Sequence, residues 1–544
     1  MGKSSATRKS SKSVATETTD TKPLIDPRYV VRILCGILLL AFLIRAVDLP
    51  RESLWYDEVA TIEHLGEPTF GTFLDAVRKW NPKVPPLYLS MEYFWAKLIG
   101  SGQISLRILS LIPGMGSIYL GYLLLAKLHS KEAGLLTAYL MAVSATHVYY
   151  SLEIRMYSLL LMLLLFSIYS YFRLLETKSR PWWFIHIGTT VAIVWTHQLG
   201  LMILPCLALH AYFFGFSDHR SKIVWTAWHT AAVSTFIPWF FTVDTDNLGQ
   251  EYTYFTAPVL FAKFFDPNAP SVQHLISMWI TPPNHWNNYL STYEWKGSIS
   301  TAVLFFGNVL MVALYAVGAG LSIWNLVQYF KKRTDRIAGE HLIFLLSLFL
   351  IPIVTLFIVS YVWEPSFMSR YMLISLIAMM ACLAISLVTI PVKKLRTFMI
   401  SALLVGTLCQ VAVDSQAPHR GSWSEVVQLL ETEQSLTPRL HVIGPTETEL
   451  KYAQQYVVWN IQDSRMKSIP YFSFSDLEMY LLGGYVQASR TVGNQYYGDA
   501  VLVLSPEKLL QLTDYLDKYK ISYTVVHIPA RDYLDYVRLN PPPY

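Results

Sequence analysis

Charged residues are scarce in this chain. They make up 15% of its 544 residues, against about 25% in a soluble domain. Cysteine is scarcer: Cys35, Cys206, Cys382 and Cys409 all fall inside apolar runs. None of them can staple an external loop, and no Cys/His spacing of the zinc type occurs. The fold is therefore expected not to depend on disulfides. The net charge of +5 is modest; Lys and Arg concentrated in cytoplasmic loops account for it, and no nucleic-acid partner follows. Residues 1–25 hold almost no apolar side chains and cannot bury enough surface to fold. They lack the early apolar stretch and small-residue cleavage site of a signal peptide. A disordered cytoplasmic tail over 1–28, leading into a retained first helix, is the expectation.

What the chain has instead is apolar length. Several uncharged stretches reach the roughly 18 residues that mark a membrane span. The apolar runs are Tyr29–Val47, Leu106–Leu128, Ala133–Tyr150, Met156–Leu175, Trp182–Trp195, Leu199–Phe216, Ile223–Val243, Ser300–Phe330, Leu342–Trp363, Tyr371–Ile390 and Leu395–Val413. A further stretch, Pro86–Gly100, is shorter and carries Glu92 and Lys97. The short basic loops at Lys127–Lys131, Arg173–Arg180, Arg220–Lys222, Lys331–Arg336 and Lys393–Arg396 decide its status. With the N-terminus inside and Pro86–Gly100 lying in the interface, every one of them is cytoplasmic. Counting Pro86–Gly100 as a span puts them all outside. The class is thus a polytopic α-helical membrane protein with about 11 transmembrane helices over 29–413. The loop 48–105 and the long loop Asp244–Ile299 are then external. From Asp414 the composition changes. "RLHVIG", "AVLVLS" and "YTVVHIP" read as short buried strands alternating with helical stretches at Glu447–Val458 and Pro506–Tyr519. That pattern predicts a C-terminal soluble α/β domain over 414–544, on the external side. It contains no GxGxxG or Walker motif, and no internal repeat of the inverted-transporter kind is visible.

Chemistry-bearing residues gather on the external side. "LWYDE" puts Tyr56, Asp57 and Glu58 just beyond the first span. Adjacent carboxylates at headgroup level are either solvated loop or functional. "YYSLEIRMYS" sets Glu153 and Arg155 in a very short turn between two spans, where charge is costly unless paired or used. A local helix-capping pair is the plainer account of it. "FMSRYML" supplies Arg370 and Tyr371, "NPKVPP" supplies Lys83, and "WTHQLG" supplies His197. Each alone reads as an interfacial anchor, a solvated lysine or a satisfied buried histidine. Together they suit a substrate with a phosphate, held by Arg forks and a Lys point charge, and a hydroxyl that a carboxylate can deprotonate.

The ordered motifs "LWYDE", "PPLYL", "SLRILSLIPG", "YSLEIRMYSLLL" and "WTHQLG" resemble the polytopic glycosyltransferases of the GT-C fold. The resemblance is to the branch of dolichyl-phosphate-mannose–protein mannosyltransferases and bacterial aminoarabinose transferases. It is good over Tyr29–Ala211 and weak beyond. It implies a polyprenyl-phosphate sugar donor and external-face, inverting transfer to a glycan, lipid or protein acceptor. It implies Asp57 as base with Glu58 beside it, and Glu153 and Arg155 in the acid and phosphate-binding positions. Arg155, Arg370 and Lys83 are expected to hold the donor phosphate. Glu153, His197, Tyr56, Tyr88 and Tyr371 are expected to support the substrate. No cofactor is required; a divalent cation shared by Glu58 and Glu153 is compatible with carboxylate oxygens. The protein is expected in the cell membrane, or in the endoplasmic reticulum of a eukaryote. Unlike the protein mannosyltransferases, its long external loop has no β-trefoil repeat. The rival readings are a transporter or flippase of lipid-linked sugars, which needs charges in both membrane halves, and a non-enzymatic scaffold.

Overall fold

The structure is a computed structural model that describes residues 25–50, 58, 61–80, 84–242, 299–331, 336–362, 369–414, 440–443, 500–503, 506–518, 523–528 and 534–539. The helices are α1 Pro27–Asp48, α2 Phe70–Trp80, α3 Pro86–Leu98, α4 Gln103–Leu128, α5 Lys131–Val143, α6 Ala145–Leu152, α7 Tyr157–Thr177, α8 Arg180–Thr196, α9 Ile203–His210, α10 His219–Ser234, α11 Ile237–Phe240, α12 Ile299–Phe330, α13 Arg336–Val362, α14 Leu373–Val388, α15 Lys393–Asp414 and α16 Pro506–Lys518. Within the described residues, each apolar run read in the sequence is mainly helical. Apolar solvent offers the backbone no partner, so the chain must satisfy its amides within the helix. Among the described residues, five helices are long and apolar enough to cross a membrane: Pro27–Asp48, Gln103–Leu128, Tyr157–Thr177, Gln198–Gly215 and Gly339–Ile358. The protein is a multi-pass integral membrane protein.

Some expected spans differ in form. The run Ala133–Tyr150 is broken at Ser144, whose hydroxyl accepts the amide of His147 at 3.3 Å and starts α6 anew. Ile223–Val243 breaks between α10 and α11. The stretch Pro86–Gly100 forms the 13-residue α3, with Pro85 preceding it and Pro86 at its first position. At about 1.5 Å per residue it is too short to span.

α4 packs on α5, α6 and α7; α7 packs on α8; α1 lies along α5; and α14 lies between α5 and α13. Close approach of α4 to α6 requires Gly114. A β-carbon there would sit 2.7 Å from the Ser151 β-carbon and 3.3 Å from its α-carbon. Beneath this contact lies a buried polar chain. Arg45 donates to the carbonyls of Ala41 (2.9 Å) and Ala142 (3.0 Å) and to Nδ1 of His147 (2.8 Å). A guanidinium can only donate, so His147 carries its proton on Nε2, which faces Ser117 Oγ at 2.8 Å. Ser117 passes the chain on to the Gly114 carbonyl at 2.7 Å. This network lets a fully buried arginine sit in an apolar bundle.

In the C-terminal part, β1 Leu440–Ile443, β2 Ala500–Val503, β3 Tyr523–Ile528 and β4 Leu534–Leu539 form a sheet of order β1-β2-β4-β3. β1 and β2 run parallel; β4 is antiparallel to β2 and β3. The three strands read in the sequence are present, as is the helix from Pro506. The strand "LDYVRL" was not foreseen, because its apolar positions are interleaved with Asp535 and Arg538. Glu447–Val458, the tail 1–24 and most of the loop Asp244–Ile299 lie outside the described residues.

Candidate active site

The site is built on the reversal between α6 and α7, where the amide of Arg155 bonds the Glu153 carbonyl at 2.7 Å. So tight a turn leaves the Ile154 amide without a helical partner. Glu58 supplies one: its Oε1 accepts Ile154 N–H at 2.8 Å. Its other oxygen faces Arg107 Nη2 at 3.6 Å, with both side chains fully buried. Arg107 comes from the first turn of α4, and its Nη1 donates to the Leu49 carbonyl at 3.1 Å, beyond the end of α1. The sequence therefore ties α1, α4 and the α6–α7 turn together through one carboxylate and one guanidinium.

Arg155 is buried and donates from Nη1 to Thr61 Oγ1 at 2.8 Å. From α3, Tyr88 meets Ser110 Oγ at 2.7 Å, and Ser110 lies 3.5 Å from the Arg155 carbonyl. Tyr88 donates to Ser110 and Ser110 to that carbonyl, which steadies the turn from the other side. Beside it, His197 opens a 3-10 turn Gln198–Met202 and accepts the Leu199 amide on Nδ1 at 3.1 Å. Its ring lies 5.4 Å from Tyr371 and 6.1 Å from Tyr157, and the two tyrosine rings are 6.4 Å apart. Gly200 permits that turn, since a β-carbon there would come within 2.4 Å of Ile193 Cγ2.

Three carboxyl side chains, Glu58, Glu92 and Glu153, are thus fully buried near two guanidiniums, Arg107 and Arg155. Burial pushes the Glu92 carboxyl well above the usual carboxylate range; Arg155 opposes the rise and Glu58 adds to it. Burial likewise raises the Tyr88 phenol, helped by the neighbouring Glu92 and opposed by the bond to Ser110. Both groups stand on the non-spanning α3.

Of the residues expected from the sequence, Glu58, Glu153, Arg155 and Tyr88 are brought together around the turn, and His197 joins Tyr371. Tyr56, Asp57 and Lys83 lie outside the described residues, and Arg370 is described in its backbone alone, within the turn Ser369–Met372. The reading of the sequence passed over Arg107, Glu92, Thr61, Ser110 and Tyr157. Two of these carried a usable signal: Arg107 is a lone charge opening an apolar run, and Glu92 stands one helical turn from Tyr88. As for a cation between Glu58 and Glu153, the donor set does not fit. One oxygen of Glu58 takes a backbone amide and the other faces a guanidinium, which would repel a metal ion. Among the described residues, no group of three or more His, Cys, Asp or Glu side chains could hold one.

Residues 83–242 match the family of dolichyl-phosphate-mannose-protein mannosyltransferases. This segment contains α3, the α6–α7 turn and His197. The match bears out the resemblance drawn from the motifs and the expected glycosyltransferase class. No curated protein matches the chain. Among solved structures, it is similar to ArnT from Cupriavidus metallidurans bound to undecaprenyl phosphate, at 13% identity and TM-score 0.47, covering 95% of this chain and 99% of that one. The apo oligosaccharyltransferase of Archaeoglobus fulgidus aligns at 14% identity and TM-score 0.46, over 80% of this chain and 63% of that one. AglB from the same organism, in complex with an inhibitory peptide and a dolichol-phosphate, aligns at 13% identity and TM-score 0.45, over 93% and 74%.

Proposed function

We propose that this membrane glycosyltransferase moves a sugar from a polyprenyl monophosphate to an acceptor hydroxyl on the extracytoplasmic face, with inversion. The observation that supports it is the buried carboxylate and guanidinium cluster at the α6–α7 turn, all of which but Glu58 lies inside the family-matched segment. Buried charges of this density are costly for structure alone. Their chemistry suits a lipid phosphate that leaves as an anion while a hydroxyl loses a proton.

In this mechanism Asp57 accepts the acceptor's proton as the hydroxyl attacks the anomeric carbon opposite the phosphate. The bond from that carbon to the phosphate oxygen breaks, and the electron pair leaves with the polyprenyl phosphate. Arg155, with Arg370 and Lys83, stabilises the departing charge by preorganised donors. Glu58, held by Ile154 and Arg107, orients the site rather than reacting. Glu153, His197, Tyr56, Tyr88 and Tyr371 shape it.

The test has two arms. Mass spectrometry of lipids and glycans from cells with and without the gene identifies donor and acceptor together; accumulation of a sugar-loaded polyprenyl phosphate in the deletion supports the reading, and unchanged profiles oppose it. A reporter active only in the cytoplasm, fused after Tyr544, stays silent if the C-terminus is external; strong signal puts the chemistry on the wrong side.

A further inference from the structure

Glu92 is the one acid of the cluster with neither carboxyl oxygen hydrogen-bonded, although the side chain is fully buried. It sits one turn after Tyr88 on α3, which packs on α4. The charges that act on it are those of Arg155 and Glu58. A buried, unbonded carboxylate would bear the full desolvation cost with no donor in return. Among the described residues of the cluster, the carboxyls of Glu58, Glu92 and Glu153 also outnumber the guanidiniums of Arg107 and Arg155.

We propose that Glu92 is a donor-binding residue that keeps its proton and gives it, as an O–H hydrogen bond, to an oxygen of the polyprenyl phosphate held by Arg155. This rests on the donor reading above. The chemistry is one-directional. An ionised Glu92 would repel the phosphate, whereas the neutral acid adds a short, charge-assisted bond beside the guanidinium. An arriving phosphate adds negative charge and so reinforces the neutral form it needs. Burial, which holds this carboxyl well above the usual carboxylate range, agrees with the geometry. The same arrangement would let the site discriminate a phosphate from a phosphate-free polyprenol.

The experiment measures binding of undecaprenyl phosphate to the purified full chain in detergent, from mildly acidic to alkaline pH, with undecaprenol as the control. Other ionisable groups described on α3, on the elements packed against it and at the α6–α7 turn are His64, Asp75, Arg78, Lys79, Tyr88, Tyr93, Lys97, Arg107, Tyr119, Tyr122, Lys127, Glu153, Arg180 and His186. Burial holds Glu92 well above the usual carboxylate range, so it is read on the alkaline limb. In the wild type, affinity falls as pH rises through the Glu92 transition. Glu92→Leu, which fits an apolar site but cannot donate, loses about tenfold or more in affinity, the worth of one hydrogen bond to a charged group. Glu92→Gln, which keeps a donor, rescues most of that loss and removes the alkaline decline. Melting curves of each variant show that it is folded. If Glu92→Leu binds as the wild type does, or Glu92→Gln keeps the alkaline decline, Glu92 is only packed and the inference fails while the donor reading stands. If the wild type binds undecaprenyl phosphate no better than undecaprenol, both fall.

Discussion

Glu58 and Arg107 face each other across 3.6 Å with no solvent exposure on either side chain. Removing one partner leaves the other charge stranded, at a cost of about 3–5 kcal/mol. Arg107→Met is therefore expected to lower the melting temperature of the detergent-solubilised protein sharply. Replacing both, as Glu58→Leu with Arg107→Met, restores much of the loss because no lone charge remains. Equal melting of Arg107→Met and wild type would mean that the pair does not hold the α4 end in place.

Asp57→Asn keeps the size of the side chain and removes the proposed base. Transfer from a lipid donor is expected to fall by about 10²- to 10⁴-fold, with folding preserved. Glu58→Gln is expected to act differently: it weakens the tie to Arg107 and lowers stability as well as turnover. Near-normal transfer by Asp57→Asn beside a dead but folded Glu58→Gln exchanges the two roles.

Arg155 offers a planar fork, one prong of which already bonds Thr61 at 2.8 Å. Arg155→Lys turns the fork into a point charge. A lost charge-assisted bond is worth about 1.5–3 kcal/mol, which is roughly 10- to 150-fold in kcat/KM. Thr61→Val removes a neutral acceptor and is expected to cost about 1 kcal/mol, a smaller effect of the same kind. Full activity in Arg155→Lys would reduce Arg155 to a structural brace.

The lowered acidity of buried Glu92 also writes itself into stability. The unfolded chain ionises a glutamate near pH 4.3, while the folded protein keeps the proton. Between those two transitions the native state binds more protons, so stability falls as pH rises and levels off above the folded transition. Melting temperature followed against pH is expected to show this slope in the wild type and a flatter one in Glu92→Gln. Parallel curves would mean that Glu92 is ionised in the folded protein.

The helices were legible because apolar length is a one-dimensional signal. Pro86–Gly100, read from the basic loops and its length as a short interfacial helix, forms a helix of 13 residues. What was not legible is how a run is interrupted. Ser144 cuts one span because its hydroxyl competes for a backbone amide, a choice that depends on local geometry rather than on hydropathy. At the site, Glu153 and Arg155 stood out because charge in a short turn between two apolar helices is rare. Glu92 and Arg107 did not, since each sits in an otherwise ordinary helix. Their meaning comes from partners far along the chain: Glu58 bonds a residue 96 positions away. No spacing rule covers such a contact.

Tyr139, in α5, donates its phenol to the Leu404 carbonyl at 2.8 Å and lies 2.9 Å from Thr407, both in α15. The partners of Tyr139 are 265 and 268 residues downstream. At about 5–20 residues per second of synthesis, that phenol waits roughly a quarter of a minute to a minute for its acceptor. The bundle that carries the α6–α7 turn is therefore closed by one of the last helices to emerge. A chain cut short before residue 404 lacks both partners of Tyr139, so α5 is left without this clasp.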